Sequence, residues 1–331
     1  MELWLYGRNI TGRVVQQYVH PLTKVPLIVG EHNNLYGSQN PSQIVYKSDE
    51  GTYDFVSKEQ NAQERDYYEK SYRGKTAKPL SIKDCRNLWG TGSGGFRNLY
   101  MSMGDVSGKK ILLLGNGVST KEFYFLSLGA MCVYTDLSLE AVNHVKSIFE
   151  ESELRRRGLD RIEFHAVDAC RMPFPDESFD IIYACAFVHH IENIDMLFSE
   201  VARCLKPGGI CRFMDHAYSP LWQFLKKSVL KPLQIYSHRK HGISPADVSA
   251  TRRGGYKYEE LRHIKEAYEF REMLYWRMSF FEYLLQRGTC KLGGRFLRKL
   301  KPLMRALDAF LDKVANLVQK HGIVLVWGFT K

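Results

Sequence analysis

Five apolar stretches of this chain each run out onto side chains that can do chemistry. Residues 111–120 read ILLLGNGVST and pass from an apolar run straight into Gly115, Asn116 and Gly117. A strand ending on a GxG turn lets backbone approach a ligand closely, because glycine has no Cβ. A dinucleotide turn would need a third glycine at position 120, which here is Thr120, so a nicotinamide cofactor is disfavoured. The next run, MCVYTD, ends on Asp136, nineteen residues beyond Gly117. A carboxylate there can accept both hydroxyls of a ribose through its two oxygens. Within DLSLEA, Asp136 or Ser138 could instead cap the following helix. The third run, RIEFHAVD, ends on Asp168 and is followed by Ala169. An acid beside a small residue can bond the exocyclic amine of adenine and leave room for the ring. His189 and His190 follow the fourth run, FDIIYAC, and His216 follows a fifth, GICRFMD. A neutral imidazole suits removal of a hydroxyl proton near neutral pH. Histidines at such places also begin helices or pack under a sheet, and Asp215 could orient His216 or cap its strand.

These residues need a scaffold that aligns strand ends. From Gly108 onward the chain alternates apolar runs of four to seven residues with helical patterns. Strands are expected at 111–114, 131–136, 161–168, 179–185 and 209–215, with helices near 120–128, from about Leu139 to Arg156, and from after Cys185 through Arg203. Lys-Pro-Gly-Gly at 206–209 reads as a turn into the fifth strand. This predicts an α/β fold: a parallel sheet with helices on both faces and ligands at the carboxyl ends of its strands. Ahead of it, residues 1–58 read as a small β-rich unit of short strands and turns, followed by a polar helix with an aromatic side ending at Tyr72. The glycine cluster GTGSGG at 90–95 could cradle a phosphate, but no GK[ST] follows, and a flexible loop satisfies the same residues. Beyond the sheet, KYEELRHIKEAY reads as a helix, FREMLYW as a strand, 277–287 and 294–319 as helical, and HGIVLVWGFTK as a last strand. Phe296, Leu297, Leu300, Leu303, Met304, Leu307, Phe310, Leu311 and Val314 recur at three- and four-residue spacings, an amphipathic pattern kinked or started at Pro302.

Composition narrows the function classes. The 331 residues are 44% hydrophobic and 25% charged, ordinary for a chain with a sizeable core. No apolar run reaches the roughly 18–20 residues of a membrane span. MELWLYGRNITGR lacks the layout of a secretory signal, so a cytoplasmic location is expected. Seven cysteines, scattered and never in a CxxC pair, suit reduced thiols and predict neither a disulfide framework nor a metal site. Residues 219–331 hold 22 Lys/Arg against 9 Asp/Glu, so the chain's net charge of +11 arises wholly in its C-terminal third. Seven bases and no acid lie between Arg287 and Arg305, a segment suited to peripheral membrane contact, to nucleic acid, to an anionic substrate, or simply to a solvated face. There is no internal repeat.

Taken together, ILLLGNGVSTKEF, YTDLS, AVDACRMPFPDESFDIIYA, FVHHI and LKPGG, in this order and spacing, resemble the class I S-adenosylmethionine-dependent methyltransferases. The likeness is to the small-molecule group that includes ubiquinone/menaquinone and natural-product methyltransferases, strongly over 60–217 and more loosely over 256–331. It implies a Rossmann-like sheet over 59–331, with lid or substrate insertions at 218–255 and 277–319. It further implies that Gly115, Asn116 and Gly117 face the methionine part of S-adenosylmethionine and that Asp136 holds its ribose. Leu137 would flank adenine, Asp168 and Ala169 would meet its edge, and Ala184 and Cys185 would line the wall near the sulfonium. Tyr67, Tyr68 or Tyr72 would close over the cofactor, and Tyr72 is carried forward for that place. Two residues depart from the pattern: Leu113 stands where the family has an acid, and Ser119 where it has a third glycine.

The sulfonium makes the methyl electrophilic, so the protein mainly aligns a nucleophile and removes its proton, with His216, His189 and His190 as candidate bases. After the fourth strand the chain reads ACAFVHH, without the Asn/Asp-Pro-Pro-aromatic segment of amino-directed nucleic-acid methyltransferases, which argues against a nucleic-acid substrate. Trp222, Phe224, Leu225, Leu230 and Leu233 could form an apolar lid, favouring a small-molecule or lipid-like acceptor. O-methylation of a hydroxyl or carboxylate is the expected reaction. An RNA methyltransferase and a non-catalytic binding protein of the same fold are the rivals. The N-terminal unit has a zinc-ribbon-like cadence without its cysteine pairs, so no metal is expected there. Packing, homodimerisation or substrate shaping remain as its uses.

Overall fold

The computed structural model describes residues 17–46, 49, 51–56, 62–73, 81–83, 94–218, 255–278, 306, 310 and 324–331. At its centre is β6 (Lys110–Leu114), whose residues Ile111 to Leu114 are all buried. β6 pairs in parallel with β7 (Met131–Asp136) on one side and β9 (Phe179–Cys185) on the other. A strand covered on both faces needs apolar residues at every position, which is why 111–114 shows no polar alternation. Period-2 geometry still divides the side chains: Leu112 and Leu114 join one core cluster, Ile111 and Leu113 the other. The sheet continues outward through β8 (Ile162–Ala166) to the short β5 (Tyr53–Asp54), and on the other side through β10 (Leu205–His216), β12 (Val324–Thr330) and β11 (Glu272–Met278). Its order is β11-β12-β10-β9-β6-β7-β8-β5, and β12 runs antiparallel to both neighbours. The chain winds outward from β6 to β8 and then returns to β9, so a topological switch point lies between β6 and β9.

The helices cover both faces. α1 (Ala62–Tyr72), α2 (Gly94–Met101) and the short α3 (Phe123–Ser127) precede α4 (Leu139–Glu150). α4 buries Ala141, Val142, Val145, Ile148 and Phe149, and its N-cap Ser138 accepts the Ala141 N–H at 3.2 Å. The single helix expected to Arg156 is instead two. Ser152 adopts an extended conformation and caps a separate turn, α5 (Glu153–Arg156), by accepting the Arg155 N–H at 3.3 Å. α6 (Ile194–Cys204) and α7 (Tyr258–Ala267) pack on the other face through Leu197, Phe198 and Val201 and through Leu261 and Ile264. The Lys-Pro-Gly-Gly segment lies within β10, where the register against β9 jumps between Leu205 and Ile210.

The expected helix at 277–287 fails at its start, because Arg277 and Met278 pair with Leu325 and Val324 in the β11–β12 ladder. In the 294–319 pattern, Ala306 and Phe310 are helical, and Phe310 is 62% exposed rather than on a buried stripe. The 218–255 insertion, apart from Tyr218 and Gly255, and the basic 287–305 segment lie outside the described residues, as does the 90–95 glycine cluster apart from Gly94 and Gly95, which begin α2. Among the described residues no helix is long and apolar enough to cross a membrane.

The N-terminal strands β1 (Tyr18–Val19), β2 (Pro26–Val29), β3 (Leu35–Gly37) and β4 (Asn40–Tyr46) form their own antiparallel sheet. It is keyed to the larger one by polar contacts. The Tyr18 hydroxyl donates to Glu163 at 2.8 Å, the Val19 N–H donates to the Pro173 carbonyl at 2.9 Å, and Lys24 pairs with Glu200 at 2.7 Å.

Candidate active site

A cavity of about 1370 Å³ opens at the carboxyl ends of the central strands, at the switch point. Its floor is the turn after β6. Gly115 and Gly117 take left-handed φ of 56° and 58°. A Cβ at 115 would lie 1.9 Å from the Phe187 ring, and one at 117 would lie 2.6 Å from the Tyr72 hydroxyl, so both conformation and space demand glycine. Between them, Asn116 lines the cavity with both polar atoms of its amide buried and without a hydrogen-bond partner. An amide left so costs about 1–3 kcal/mol, which a polar ligand in the cavity would relieve.

Asp136, at the end of β7, holds this turn from the neighbouring strand. One carboxylate oxygen accepts the Gly117 N–H at 2.7 Å and the other the Ser138 N–H at 3.0 Å. Burial pushes its pKa up in spite of these bonds. Ser138, not Asp136, caps α4, and with the Leu137 N–H as a third backbone donor the Asp136 carboxylate keeps one further accepting position. Asp168 accepts the Cys170 N–H at 2.9 Å and faces Arg171 at 3.2 Å, with Ala169 beside it in the wall. Leu137 also lies in the wall, as do Tyr68 and Tyr72 from α1, whereas Tyr67 does not. Tyr72 is pushed up as an acid, by burial first and then by the Asp136 charge.

At the end of β9 the paired expectation for 184 and 185 divides. Cys185 lines the cavity, but Ala184 is 1% exposed within the opposite core, because successive strand residues face opposite ways. Burial pushes the Cys185 thiol up to about 11, which keeps it a neutral wall group. Ala186 follows with a left-handed φ of 55°, a conformation that costs a non-glycine residue about 1–2 kcal/mol, and places Phe187 over Gly115.

The three histidines are brought together but do not share one position. His190 lines the cavity, with Nδ1 3.3 Å from the Tyr68 hydroxyl. His189 lies against it at a ring separation of 3.9 Å and turns its Nδ1 to Asp215 at 2.5 Å. Asp215 also accepts the backbone N–H groups of His189 and His216 at 3.1 and 2.9 Å. Burial opposes its ionisation, yet the bonds from His189 and His216 hold it well below the usual carboxylate range. His216, the third candidate base, is not among the residues that line the cavity. β10 continues through it in register with Val324, and the bridge from Ala217 to Tyr256 covers the strand end.

Ligand atoms of His189, Asp215 and His216 lie within 4.8 Å of one another, a donor set suited to a divalent transition metal. As placed, the carboxylate is occupied by hydrogen-bond donors. Sequence reading missed the outer wall, formed by Tyr256 and by Glu259, Glu260, His263 and Ile264 of α7. Nothing local marks those residues; only the antiparallel return of the last two strands brings α7 to the cavity.

Comparison with known proteins follows the same lines. Residues 112–213 match the methyltransferase domain family. A fatty-acid O-methyltransferase from Mycolicibacterium smegmatis is 31% identical over 169 residues, covering 49% of this chain and 56% of that protein. Phosphoethanolamine N-methyltransferase 3 of Arabidopsis thaliana is 32% identical over 154 residues, covering 46% of this chain and 29% of that one. The chain thus spans little more than half of the first relative and under a third of the second. Among solved structures, Haemonchus contortus phosphoethanolamine N-methyltransferase 2, in complex with phosphomonomethylethanolamine and S-adenosylhomocysteine, superposes with a TM-score of 0.51 at 16% identity, covering 81% of this chain and 60% of that chain. With its sheet order, its switch-point cavity and this structural likeness, the chain has the Rossmann-like class I methyltransferase fold, and residues 112–213 within it are similar to the methyltransferase domain family.

Proposed function

We propose that this protein is an S-adenosylmethionine-dependent methyltransferase that transfers the methyl to an oxygen of a small or amphiphilic acceptor. The observation that carries the reading is Asn116: an unpartnered, buried amide in the cavity wall, on a glycine turn held by Asp136. In this reading Gly115, Asn116 and Gly117 hold the methionine part and Asp136 the ribose. Leu137, Asp168 and Ala169 hold adenine, and Tyr72 covers the turn. When bound, the cofactor supplies a methyl on a sulfonium, already electrophilic. The resemblance to a fatty-acid O-methyltransferase supports an oxygen acceptor, and the resemblance to a phosphoethanolamine N-methyltransferase supports a small one.

His190 takes the proton. In the tautomer that donates Nδ1–H to the Tyr68 oxygen, Nε2 carries no proton and is the accepting atom of the ring. His189 packs against the His190 ring and is held by Asp215, whose carboxylate is the negative charge behind the imidazolium as it forms. The reading includes membrane contact through the basic 287–305 segment and a cytoplasmic setting.

Titration calorimetry with S-adenosylmethionine, followed by transfer of a labelled methyl to a panel of fatty acids and phenols, tests the reading. One-to-one binding and label in an organic-extractable product are expected. No binding at millimolar cofactor sinks the reading, and binding without transfer to any acceptor favours a non-catalytic protein.

A further inference from the structure

Glu122 is fully buried at the start of α3, where an apolar side chain would ordinarily lie. Its carboxylate is the centre of a compact polar cluster. Oε2 accepts the Ser119 hydroxyl at 2.8 Å, and Oε1 accepts the Tyr183 hydroxyl at 3.1 Å and Lys121 Nζ at 2.7 Å. Lys121 Nζ also donates to Ser119 Oγ at 2.9 Å. Burial opposes the charge on Lys121, but the Glu122 carboxylate holds its pKa above the ordinary value. Buried ion pairs of this kind are weak sources of stability, since well-packed apolar residues often do as well. Their retention beside a ligand cavity therefore calls for a use.

The position of the cluster suggests that use. Tyr183 is the β-ladder partner of Leu113 and shares its face of the sheet. The carboxylate of Glu122 thus reaches the flank of β6 on which residue 113 projects, where this chain carries leucine instead of an acid. Of Ser119, Lys121 and Glu122, Ser119 is the one in the cavity wall. Its hydroxyl hydrogen is committed to Glu122 and one lone pair to Lys121, which leaves one lone pair for an incoming N–H. A carboxylate behind a hydroxyl polarises it and strengthens what that oxygen can accept. The Lys121–Glu122 pair is also the charge complement of a zwitterionic amino acid.

We propose that Glu122, acting through Ser119, is the positioning residue for the ammonium-bearing amino-acid end of the cofactor, so that Leu113 and Ser119 form one relocated device. The proposal rests on the cofactor reading above. S-Adenosylhomocysteine and 5′-methylthioadenosine share the adenosine and thioether, and only the first carries the amino-acid end. Calorimetry of both ligands against wild type, Glu122→Gln, Ser119→Ala and the double variant tests it, with melting curves of each protein as the control for folding. Glu122→Gln and Ser119→Ala are each expected to weaken S-adenosylhomocysteine roughly tenfold, with methylthioadenosine within about twofold of wild type and the double variant no weaker than either single one. Ser119→Ala keeps the test alive if Glu122→Gln does not fold. Equal weakening of both ligands, weakening of neither, or additive losses overturns the role of Glu122. If wild type binds neither ligand, the cofactor reading itself falls and takes this proposal with it.

Discussion

Asp136→Asn separates what this carboxylate does for the turn from what it does for a nucleoside. The amide keeps one accepting oxygen and turns the other into a donor. One of the backbone groups now bonded, Gly117 N–H at 2.7 Å or Ser138 N–H at 3.0 Å, is then left facing a donor. Leaving a buried donor unmet costs about 1–3 kcal/mol of stability. Toward a ribose, the variant loses one charge-assisted acceptor, about 1.5–3 kcal/mol, which is roughly a 10- to 150-fold rise in Kd. Denaturation with and without S-adenosylhomocysteine reads both effects. At a ligand concentration of about one hundred times the wild-type Kd, wild type gains about 2.7 kcal/mol, whereas a variant weakened about 100-fold gains about 0.4 kcal/mol. A ligand-free melt that does not move would show that Asp136 does not hold the turn. A Kd for S-adenosylhomocysteine within about twofold of wild type would refute the ribose assignment, since loss of a charged acceptor cannot be so mild.

His190→Ala should lower methyl transfer to a hydroxyl acceptor by about 10²–10⁴-fold, whereas His216→Ala should leave it nearly unchanged; steady-state rates at saturating cofactor decide between the two histidines. An acceptor carboxylate arrives ionised and needs only alignment, so a rate that survives His190→Ala on fatty acids but not on phenols would identify a carboxylate acceptor. His165 is buried, its Nδ1 accepts the Tyr53 N–H, and burial holds its pKa below the ordinary histidine value in spite of the Glu163 carboxylate near Nε2. A depressed folded-state pKa means that the unfolded chain binds the proton more readily. The stabilisation is therefore present above about pH 6.5 and is lost as pH falls through the folded value. Urea unfolding from about pH 7.5 down to pH 5 should show a steeper loss in wild type than in His165→Phe, and parallel slopes would exclude this linkage.

The sheet was legible because residues 111–114 of its central strand are fully buried. Four apolar residues in a row at 111–114 leave little choice but a central parallel strand, and the return of apolar runs after each helix sets the winding. What the sequence hid were decisions made by local competition. Nothing in the periodicity of 139–156 says that Ser152 will stop one helix and cap another, since Ser138 carries the same signal and begins a helix instead. Arg277 and Met278 read as a helix start, yet the ladder to Leu325 and Val324 claims them. A pairing partner that lies some fifty residues further along the chain leaves no local trace.

The candidate site divides along a similar line. Asp136 and Asp168 could be placed from sequence because a residue at a strand's carboxyl end has only one place to go, and sheet topology brings those ends together. His189 and His190 could not, because they lie four and five residues past the end of β9 at Cys185, where strand geometry no longer dictates direction. His189 and His190 are neighbours in a 3₁₀ turn, and only the buried carboxylate of Asp215 decides which ring turns inward. With His189 drawn to Asp215, His190 is the one left toward the cavity and Tyr68. Glu122 was hidden for the opposite reason: KEF after the turn reads as an ordinary exposed helix start. Its burial follows from Tyr183 and Ser119, which offer hydroxyl donors, and from Lys121, which offers the countercharge. A charge becomes readable as functional only when the groups that desolvate it and those that compensate it are known together, and here they come from the turn itself and from β9.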